Sequence, residues 1–369
     1  MNIIQKRYSH LKEVWFNEAI FRMGKVNIDN LKDVCIDILI HYGVSREDAV
    51  IIAKSIEYAH LRGKHTHGIG RMPIYVRKIK ENLMNIKTPM NILREMGAVA
   101  IYDAQNGFGQ VAAIKGAQLA LDKAGQYGTG IVGICNSNNF GTAGFIGNYV
   151  TDKKMICMIF TNSGPAIAPS GGNIPFLGTN PICFSFPTDN EHPPIILDMA
   201  CSNVARGKVR LAAKNGEKIP SDWALDENGN PTTDPVAALN GSMLALGGYK
   251  GYGLALCVDL LAGMMTGSGF AGNVKNLNHA TDVSRCGHLI IVINPEAFMT
   301  KNEYEEKIRY FIKNLKSCGN QEDIYYPGEK SFYDAKKNQS FLEINDILLD
   351  ELNTLAKTAN IDKKIIYRN

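Results

Sequence analysis

The stretch GTGIVGIC, at residues 128–135, decides whether this sequence can form a Rossmann unit. Its first six letters match the pattern G-x-G-x-x-G, which identifies a Rossmann unit only when a strand precedes it and a helix follows. Here the order is reversed, because the alanine-rich segment 111–125 is predicted to be a helix and the glycines lead into the apolar strand 130–135. We therefore interpret Gly128 as the C-cap of that helix. If the protein binds a dinucleotide, it must hold it in another way.

Outward from this stretch, short apolar strands alternate with loops rich in Gly, Asn, Ser and Pro. Strands are predicted at 98–103, 155–161, 181–186, 194–199 and 288–294. Helical periodicity instead marks residues 31–39, 49–59, 303–315 and 345–357. We predict an α/β protein with a site in the loops at the strand ends, at 136–144, 161–172 and 177–181.

Composition and charge limit the classes of partner. The chain has 369 residues, 45% hydrophobic and 21% charged, which is typical of a globular protein with about two to three domain-sized units. Its net charge of +4 is spread along the sequence without a basic block, so neither a nucleic acid nor a membrane surface is predicted as a partner. The longest apolar run, 253–270, is interrupted by Asp259 and several glycines, so no transmembrane span is predicted.

The cysteines and the N-terminus indicate the compartment. The eight cysteines form no C-x-x-C pair, and several lie in apolar runs, which favours buried free thiols in a reducing environment. Residues 1–26 mix polar and aromatic side chains and lack the apolar core of a signal peptide. We therefore predict a cytoplasmic location.

A second informative stretch, GKHTHGIGRMPIY at residues 63–75, places two histidines just after a predicted helix. His65 and His67 could be two zinc ligands, although no H-E-x-x-H, C-x-x-C or acidic cluster supplies the rest of a site. Both could also be ordinary residues at a helix end. Alternatively, one histidine is a general acid and base, and Arg71 grips a carboxylate with two parallel hydrogen bonds. That combination suits the reduction of a 2-oxo acid.

Eight motifs in a fixed order carry a family resemblance. They are RGKHTHGIGR (62–71), NSNNFGTAGF (136–145), SGPAIAPSGG (163–172), LGTNPICF (177–184), LDMACSNVARGKV (197–209), DENGNPTTDP (226–235), GGYKGYGLAL (247–256) and YYPGE (325–329). Together they make residues 27–330 resemble the malate/L-lactate dehydrogenase family that lacks a Rossmann fold. Its members include ureidoglycolate dehydrogenase, diketogulonate reductase and sulfolactate dehydrogenase.

The resemblance implies an NAD(P)-dependent oxidoreductase that acts on small 2-hydroxy and 2-oxo acids. The family motif Ser-His-Gly followed by arginine appears here with Thr66 in place of serine. His67 then matches the proton donor and acceptor, and Arg71 matches a residue that contacts the substrate carboxylate. His65 has no matching role, and no metal is required.

The second loop departs from the family pattern. Relatives usually have a histidine where this chain has Asn139, and in ureidoglycolate dehydrogenase that histidine is taken as the proton acceptor. An amide cannot be a general base near neutral pH, but it can hydrogen-bond a carbonyl oxygen. Either His67 is the sole proton shuttle and Asn139 orients the substrate, or the chain is impaired or acts on an unusual substrate.

Cofactor contacts are carried over by position. The residues that match are Ser163, Asp198, Met199, Ala200, Lys250, Gly251, Pro327, Gly328 and Glu329. The cofactor could be NAD or NADP. A lysine flanked by glycines, as at Lys250, suits a pyrophosphate because glycines let the backbone approach it. Asp259, inside an apolar helix, is interpreted as a buried structural aspartate.

The resemblance also implies the architecture. It predicts an N-terminal extension (1–26), a largely helical part (27–125 plus 300–369), and a mixed-sheet, non-Rossmann NAD(P)-binding domain (126–299), assembled as a homodimer. Malate and oxaloacetate are the preferred substrate pair, while L-lactate, a ureidoglycolate-like substrate and a diketo acid stay open. A non-catalytic cofactor-binding homologue is the alternative from another class.

Overall fold

The computed structural model describes residues 23–277, 281–320, 322–338, 340–362 and 365–367. Within these ranges the helices are α1 (Ile28–His41), α2 (Arg46–Leu61), α3 (Met72–Lys80), α4 (Gly109–Tyr127), α5 (Ala143–Thr151), α6 (Arg206–Asn215), α7 (Pro235–Asn240), α8 (Tyr249–Val258), α9 (Lys301–Lys316), α10 (Glu329–Lys337) and α11 (Asp346–Thr358). The strands are β1 (Met23–Asn27), β2 (Asn91–Met96), β3 (Val99–Asp103), β4 (Thr129–Ser137), β5 (Ile156–Thr161), β6 (Ile182–Phe186), β7 (Ile195–Met199), β8 (Ala224–Leu225), β9 (Ser242–Met243), β10 (Cys286–Ile293) and β11 (Phe341–Asn345).

A mixed seven-stranded sheet forms the centre, in the order β2-β3-β4-β10-β5-β6-β7. Only β3 and β4 pair in parallel, which agrees with the predicted mixed, non-Rossmann α/β fold. Gly128 caps α4 in the left-handed conformation, with φ +81°, and β4 begins at the next residue. The decisive stretch is therefore a helix-to-strand turn, as its sequence indicates.

Strand direction explains where the loops gather. β4 and β5 are both antiparallel to β10, and β7 is antiparallel to β6, which is itself antiparallel to β5. β3, β4, β5 and β7 consequently run the same way and end at one edge of the sheet. The loops predicted to hold the site, which follow β4 and β5 or precede β6, meet at this edge.

The first and last parts of the described chain meet outside this sheet. β1 pairs with β11 in an antiparallel two-stranded sheet that packs on α1, α2, α3 and α11. Residues 1–22 of the predicted N-terminal extension lie outside the described residues, and residues 23–26 belong to β1. The predicted boundary at 26 therefore falls inside a strand, because a pairing partner more than 300 residues away is invisible to local pattern.

The predicted boundary at residues 125–126 does not coincide with an edge of the sheet either. It falls inside α4, and β2 and β3, which precede α4, extend the same sheet as β4. One hydrophobic core packs α4 and α5 on one face of the sheet, and a second packs α6 and α8 around β6.

None of the helices in the described ranges is long and apolar enough to cross a bilayer.

Candidate active site

A cleft of about 400 Å³ opens at the sheet edge where β4, β5 and β7 end. Its walls come from the loops after these strands, from the turn that follows α2, and from the start of α6. The cleft is lined by eight of the predicted site residues: Thr66, His67, Arg71, Asn139, Ser163, Asp198, Met199 and Ala200. Residues from distant parts of the sequence therefore meet in one place.

The local sequence places His67 on a tight turn. α2 ends at Leu61, and the chain then makes a 3-10 turn at His65–His67, as expected for a turn just after a helix. Gly68 allows this path, because a Cβ there would lie 2.8 Å from His60 Nδ1. The Thr66 hydroxyl lies 3.0 Å from His67 Nδ1. The other ring nitrogen, Nε2, forms no hydrogen bond with any described residue.

The environment of His67 favours the neutral imidazole. Burial lowers the pKa of His67 to about 3, and the nearby charges of Arg71 and Lys64 act in the same direction. His65 instead packs edge-on against His60, with ring centroids 4.6 Å apart. Among the described residues, the two histidines do not join a third group of metal-binding type. His65 and His67 thus lie in different surroundings, although both line the cleft.

Arg71 is tied to the same turn. Its Nε donates to the carbonyl oxygen of Thr66 at 2.7 Å, and burial lowers the pKa of the guanidinium. Gly207, at the start of α6, packs directly on Thr66, since a Cβ there would lie 2.6 Å from the threonine methyl group. That close approach brings the basic residues of α6 beside Arg71.

The α6 arginines were not foreseen as site residues. Arg206 and Arg210 are one helical turn apart and both line the cleft. Arg206 donates to the carbonyl oxygens of Pro165 and Leu239, both at 2.9 Å, while its buried Nε has no hydrogen-bond partner among the described residues. Burial, together with Arg206 and Arg71, lowers the pKa of Arg210 to about 10. The i, i+4 spacing of the two arginines was the available sequence signal.

The cleft consequently has a strong excess of positive charge. Its described lining contains one carboxylate, Asp198, and six cations: Lys64, Arg71, Arg206, Lys208, Arg210 and Lys275. Asp198 accepts the amide hydrogen of Gly144 at 2.9 Å. Positive charges brought together in a partly desolvated space attract anions. The cleft therefore suits a small, negatively charged molecule.

The loop that carries Asn139 is rigidly held. Asn138 donates through Nδ2 to the carbonyl oxygens of Asn106 and Gly107, both at 2.9 Å. The Asn139 side-chain oxygen accepts the amide of Gly141 at 3.1 Å, which leaves its NH2 group as a donor toward the cleft. An amide donor, and not a base, is thus presented at this position.

A second cavity, of about 360 Å³, adjoins the cleft. Lys64, Thr142 and Asp198 line both spaces, and the second one also contains the predicted cofactor residues Pro327 and Gly328. Thr142 precedes α5 as its N-cap, and within the described ranges its buried Oγ1 has no hydrogen-bond partner. The junction thus combines a helix N-terminus, an unsatisfied hydroxyl and a lysine.

Three predicted cofactor residues line neither space. Lys250 is exposed at the start of α8. Gly251 is buried and packs tightly, since a Cβ there would lie 2.5 Å from the backbone of Leu246. The Glu329 carboxylate binds Lys316 Nζ at 2.7 Å and accepts the amide of Tyr326 at 3.2 Å.

Asp259, interpreted as structural, accepts from Asn162 at 3.1 Å and from the Ala271 amide at 2.8 Å.

Comparison with known proteins identifies the family. A sequence profile of the malate/L-lactate dehydrogenases matches residues 26–353. The chain belongs to the malate/L-lactate dehydrogenase family. The family predicted from the ordered motifs is thereby confirmed, and the protein is a hydroxyacid dehydrogenase of this family.

Named relatives of this dehydrogenase differ in substrate. It is 40% identical to the malate/(S)-sulfolactate dehydrogenase of Methanothermus fervidus, over 90% of this chain and 97% of that protein. The malate dehydrogenase of Pyrococcus horikoshii is 36% identical, over 94% of this chain and 98% of that protein. The solved sulfolactate dehydrogenase of Methanocaldococcus jannaschii superposes with a TM-score of 0.85 at 37% identity, covering 91% of this chain and 98% of that one.

The site of this dehydrogenase fits an NAD(P) cofactor of the kind that its relatives use. A helix N-terminus favours a phosphate, and at the junction α5 adds the unsatisfied Oγ1 of Thr142 and the charge of Lys64. These groups would hold the pyrophosphate between the two cavities. The nicotinamide end would then lie in the cleft with His67, and the adenosine end in the second cavity.

Proposed function

We propose that the protein interconverts malate and oxaloacetate with a nicotinamide cofactor. The observation that carries this proposal is the meeting of His67 with Arg71 and Arg210 in one cleft, where Arg210 has no ion-pair partner among the described residues. A 2-oxo acid with one carboxylate needs one such cation. A four-carbon dicarboxylate provides a second negative charge for Arg210.

The roles of the residues follow from their positions. The cofactor supplies or accepts the hydride when it is bound. Arg71 holds the carboxylate next to the reacting carbon, and Asn139 donates a hydrogen bond that polarises the 2-oxo group. His67 gives a proton to that oxygen in reduction and removes it from the hydroxyl in oxidation. Thr66 positions the ring through Nδ1.

A sulfonate is the second candidate for the distal anion. In the described part of the chain the buried Nε of Arg206 has no partner, and Arg210 lies one helical turn away, so the α6 arginines offer more donors than one carboxylate requires. A sulfonate has three acceptor oxygens and would use them. The same arrangement therefore also supports 3-sulfolactate and 3-sulfopyruvate as the substrate pair.

A steady-state assay tests the substrate. Purified protein is given NADH or NADPH together with oxaloacetate, 3-sulfopyruvate, pyruvate or a bulkier 2-oxo acid, and the loss of nicotinamide absorbance is followed. We expect the highest kcat/KM with oxaloacetate. Preference for pyruvate would contradict the role of Arg210. No turnover with any of these acids would instead favour the non-catalytic homologue suggested by Asn139.

The Arg210→Met variant tests the distal contact. Loss of a hydrogen bond to a charged group costs about 1.5–3 kcal/mol, so kcat/KM for oxaloacetate should fall roughly 10- to 150-fold. The value for pyruvate, which lacks the second carboxylate, should change little. Lys214→Met removes a cation from the same helix but outside the cleft lining, and serves as the matched control. Equal losses for both acids in Arg210→Met would contradict the assignment.

A homodimer is part of the proposal and explains the position of Lys250. This residue lines neither cavity of its own chain, yet it matches a cofactor-contacting position. Farther along this helix and its π-helical continuation, Leu254, Leu260 and Met264 are 41%, 40% and 49% exposed, which suits a contact with a second subunit. Lys250 would then reach the partner's cofactor. Sedimentation as a single chain in dilute solution would contradict this arrangement.

The cytoplasmic location stays a prediction.

A further inference from the structure

The second cavity raises the question of which cofactor the protein selects, and the inference drawn from it rests on the proposed function. NAD and NADP differ only at the 2′ position of the adenosine ribose. NAD has a hydroxyl there, which proteins commonly bind with a carboxylate, while NADP has a phosphate, which they bind with arginine. The charged side chains around the adenosine end therefore decide the choice.

Each of the two carboxylates that line the second cavity already interacts with another group of the protein. Asp198 accepts the amide hydrogen of Gly144 at 2.9 Å, at the N-terminus of α5. Asp334 forms an ion pair with Lys330 at 3.0 Å. Within the described lining, neither carboxylate is without a partner, so a ribose diol would have to share it with the Gly144 amide or with Lys330.

Arg62 is the contrasting group in the same cavity. Its guanidinium carbon lies 3.6 Å from the ring centroid of Tyr58, so the guanidinium lies on the aromatic face. A guanidinium that stacks on a ring keeps its edge N–H groups for a planar, bidentate contact. Burial lowers the pKa of Arg62, while Tyr58 and Asp152 act in the opposite direction. Arg62 and Asp152 form no ion pair, and Asp152 does not line the cavity.

The remaining cations of the cavity have other positions. Lys64 lies at the junction with the catalytic cleft, where the pyrophosphate is proposed to bind. Lys330 is neutralised by Asp334. Among the described residues that line this cavity, Arg62 is thus the cation that is neither paired with an acid nor placed at the junction. We propose that Arg62 binds the 2′-phosphate of NADP, and that the protein selects NADP over NAD.

Binding of cofactor fragments tests this proposal without turnover. Isothermal titration of the full-length protein compares adenosine 2′,5′-bisphosphate with 5′-AMP, which differ only by the 2′-phosphate. We expect wild-type protein to bind the bisphosphate roughly 10- to 100-fold more tightly, as for a charge-assisted contact. In Arg62→Gln this preference should fall to about threefold or less, while the affinity for 5′-AMP should stay within about threefold.

Two further variants make the result specific. Arg62→Lys keeps the charge without the planar fork and should retain part of the preference. Lys330→Gln removes a paired cation from the same cavity and should retain nearly all of it. If Lys330→Gln, and not Arg62→Gln, abolishes the preference, the assignment of Arg62 is wrong.

The outcomes separate this inference from the proposed function. Equal binding of the two fragments by wild-type protein would overturn the selection of NADP and leave the dehydrogenase proposal intact. Tighter binding of 5′-AMP would do the same and indicate NAD. Absence of binding by either fragment, together with no oxidation of NADH or NADPH by any 2-oxo acid, would overturn both.

Discussion

Replacing His67 by alanine is expected to lower kcat roughly 100- to 10,000-fold, the usual contribution of a general acid or base. The loss should appear in both directions, because the same ring gives the proton in reduction and takes it in oxidation. Cofactor binding, measured by titration, should be preserved, since His67 lines the cleft and not the adenosine cavity. Unchanged turnover would exclude His67 as the proton shuttle.

The neighbouring histidine provides the matched control. His65→Ala changes the same 3-10 turn but removes a ring that packs on His60, so turnover should stay within a few-fold of wild type. If both variants lose activity equally, the turn as a whole is needed and no proton transfer is demonstrated.

The pH profile gives a second readout of His67. Because its pKa is lowered to about 3, the ring is neutral in the free protein from mildly acidic to basic pH. Oxidation uses the neutral ring, so its kcat/KM should be flat over that range. Reduction uses the protonated ring, so its kcat/KM should rise by up to about tenfold for each unit of falling pH. The rise of kcat/KM for reduction on falling pH should vanish in His67→Ala.

Replacing Arg71 by leucine is expected to lower kcat/KM for oxaloacetate roughly 30- to 4,000-fold. Truncation of one partner of a buried, hydrogen-bonded charge pair costs about 2–5 kcal/mol, and the substrate carboxylate would be left without its partner. Most of the loss should appear as a raised KM, because Arg71 is proposed to bind the carboxylate in both the ground and transition states.

Arg71 also donates to the carbonyl of Thr66, so a structural effect must be distinguished from lost binding. Arg71→Lys keeps the charge without the bidentate fork and should recover only part of the activity. Arg94→Leu, on the exposed strand β2, controls for the loss of an arginine elsewhere. A lowered kcat with unchanged KM in Arg71→Leu would show that Arg71 positions His67 and does not bind the substrate.

Much of the fold was accessible from local sequence. The cap at Gly128 has a clear glycine signal, and the strands β4, β5, β6, β7 and β10 have clear apolar patterns. These features do not depend on distant residues. Strand β2 was missed because all six of its residues are exposed, which removes the alternation on which strand prediction depends. The pairing of β1 with β11 was missed because it joins opposite ends of the chain.

The site divides in the same way. The sequence by itself determined the family, the mixed α/β class and the turn that carries His67 and Arg71, since all of these rest on short contiguous motifs. Only the tertiary structure decided which cations share the cleft, because α6 approaches Thr66 through Gly207 from more than 130 residues away. It likewise decided which carboxylates of the cavity lined by Arg62 already have a partner within the protein. Charge selectivity depends on distances between side chains of different elements, and a linear sequence does not contain those distances.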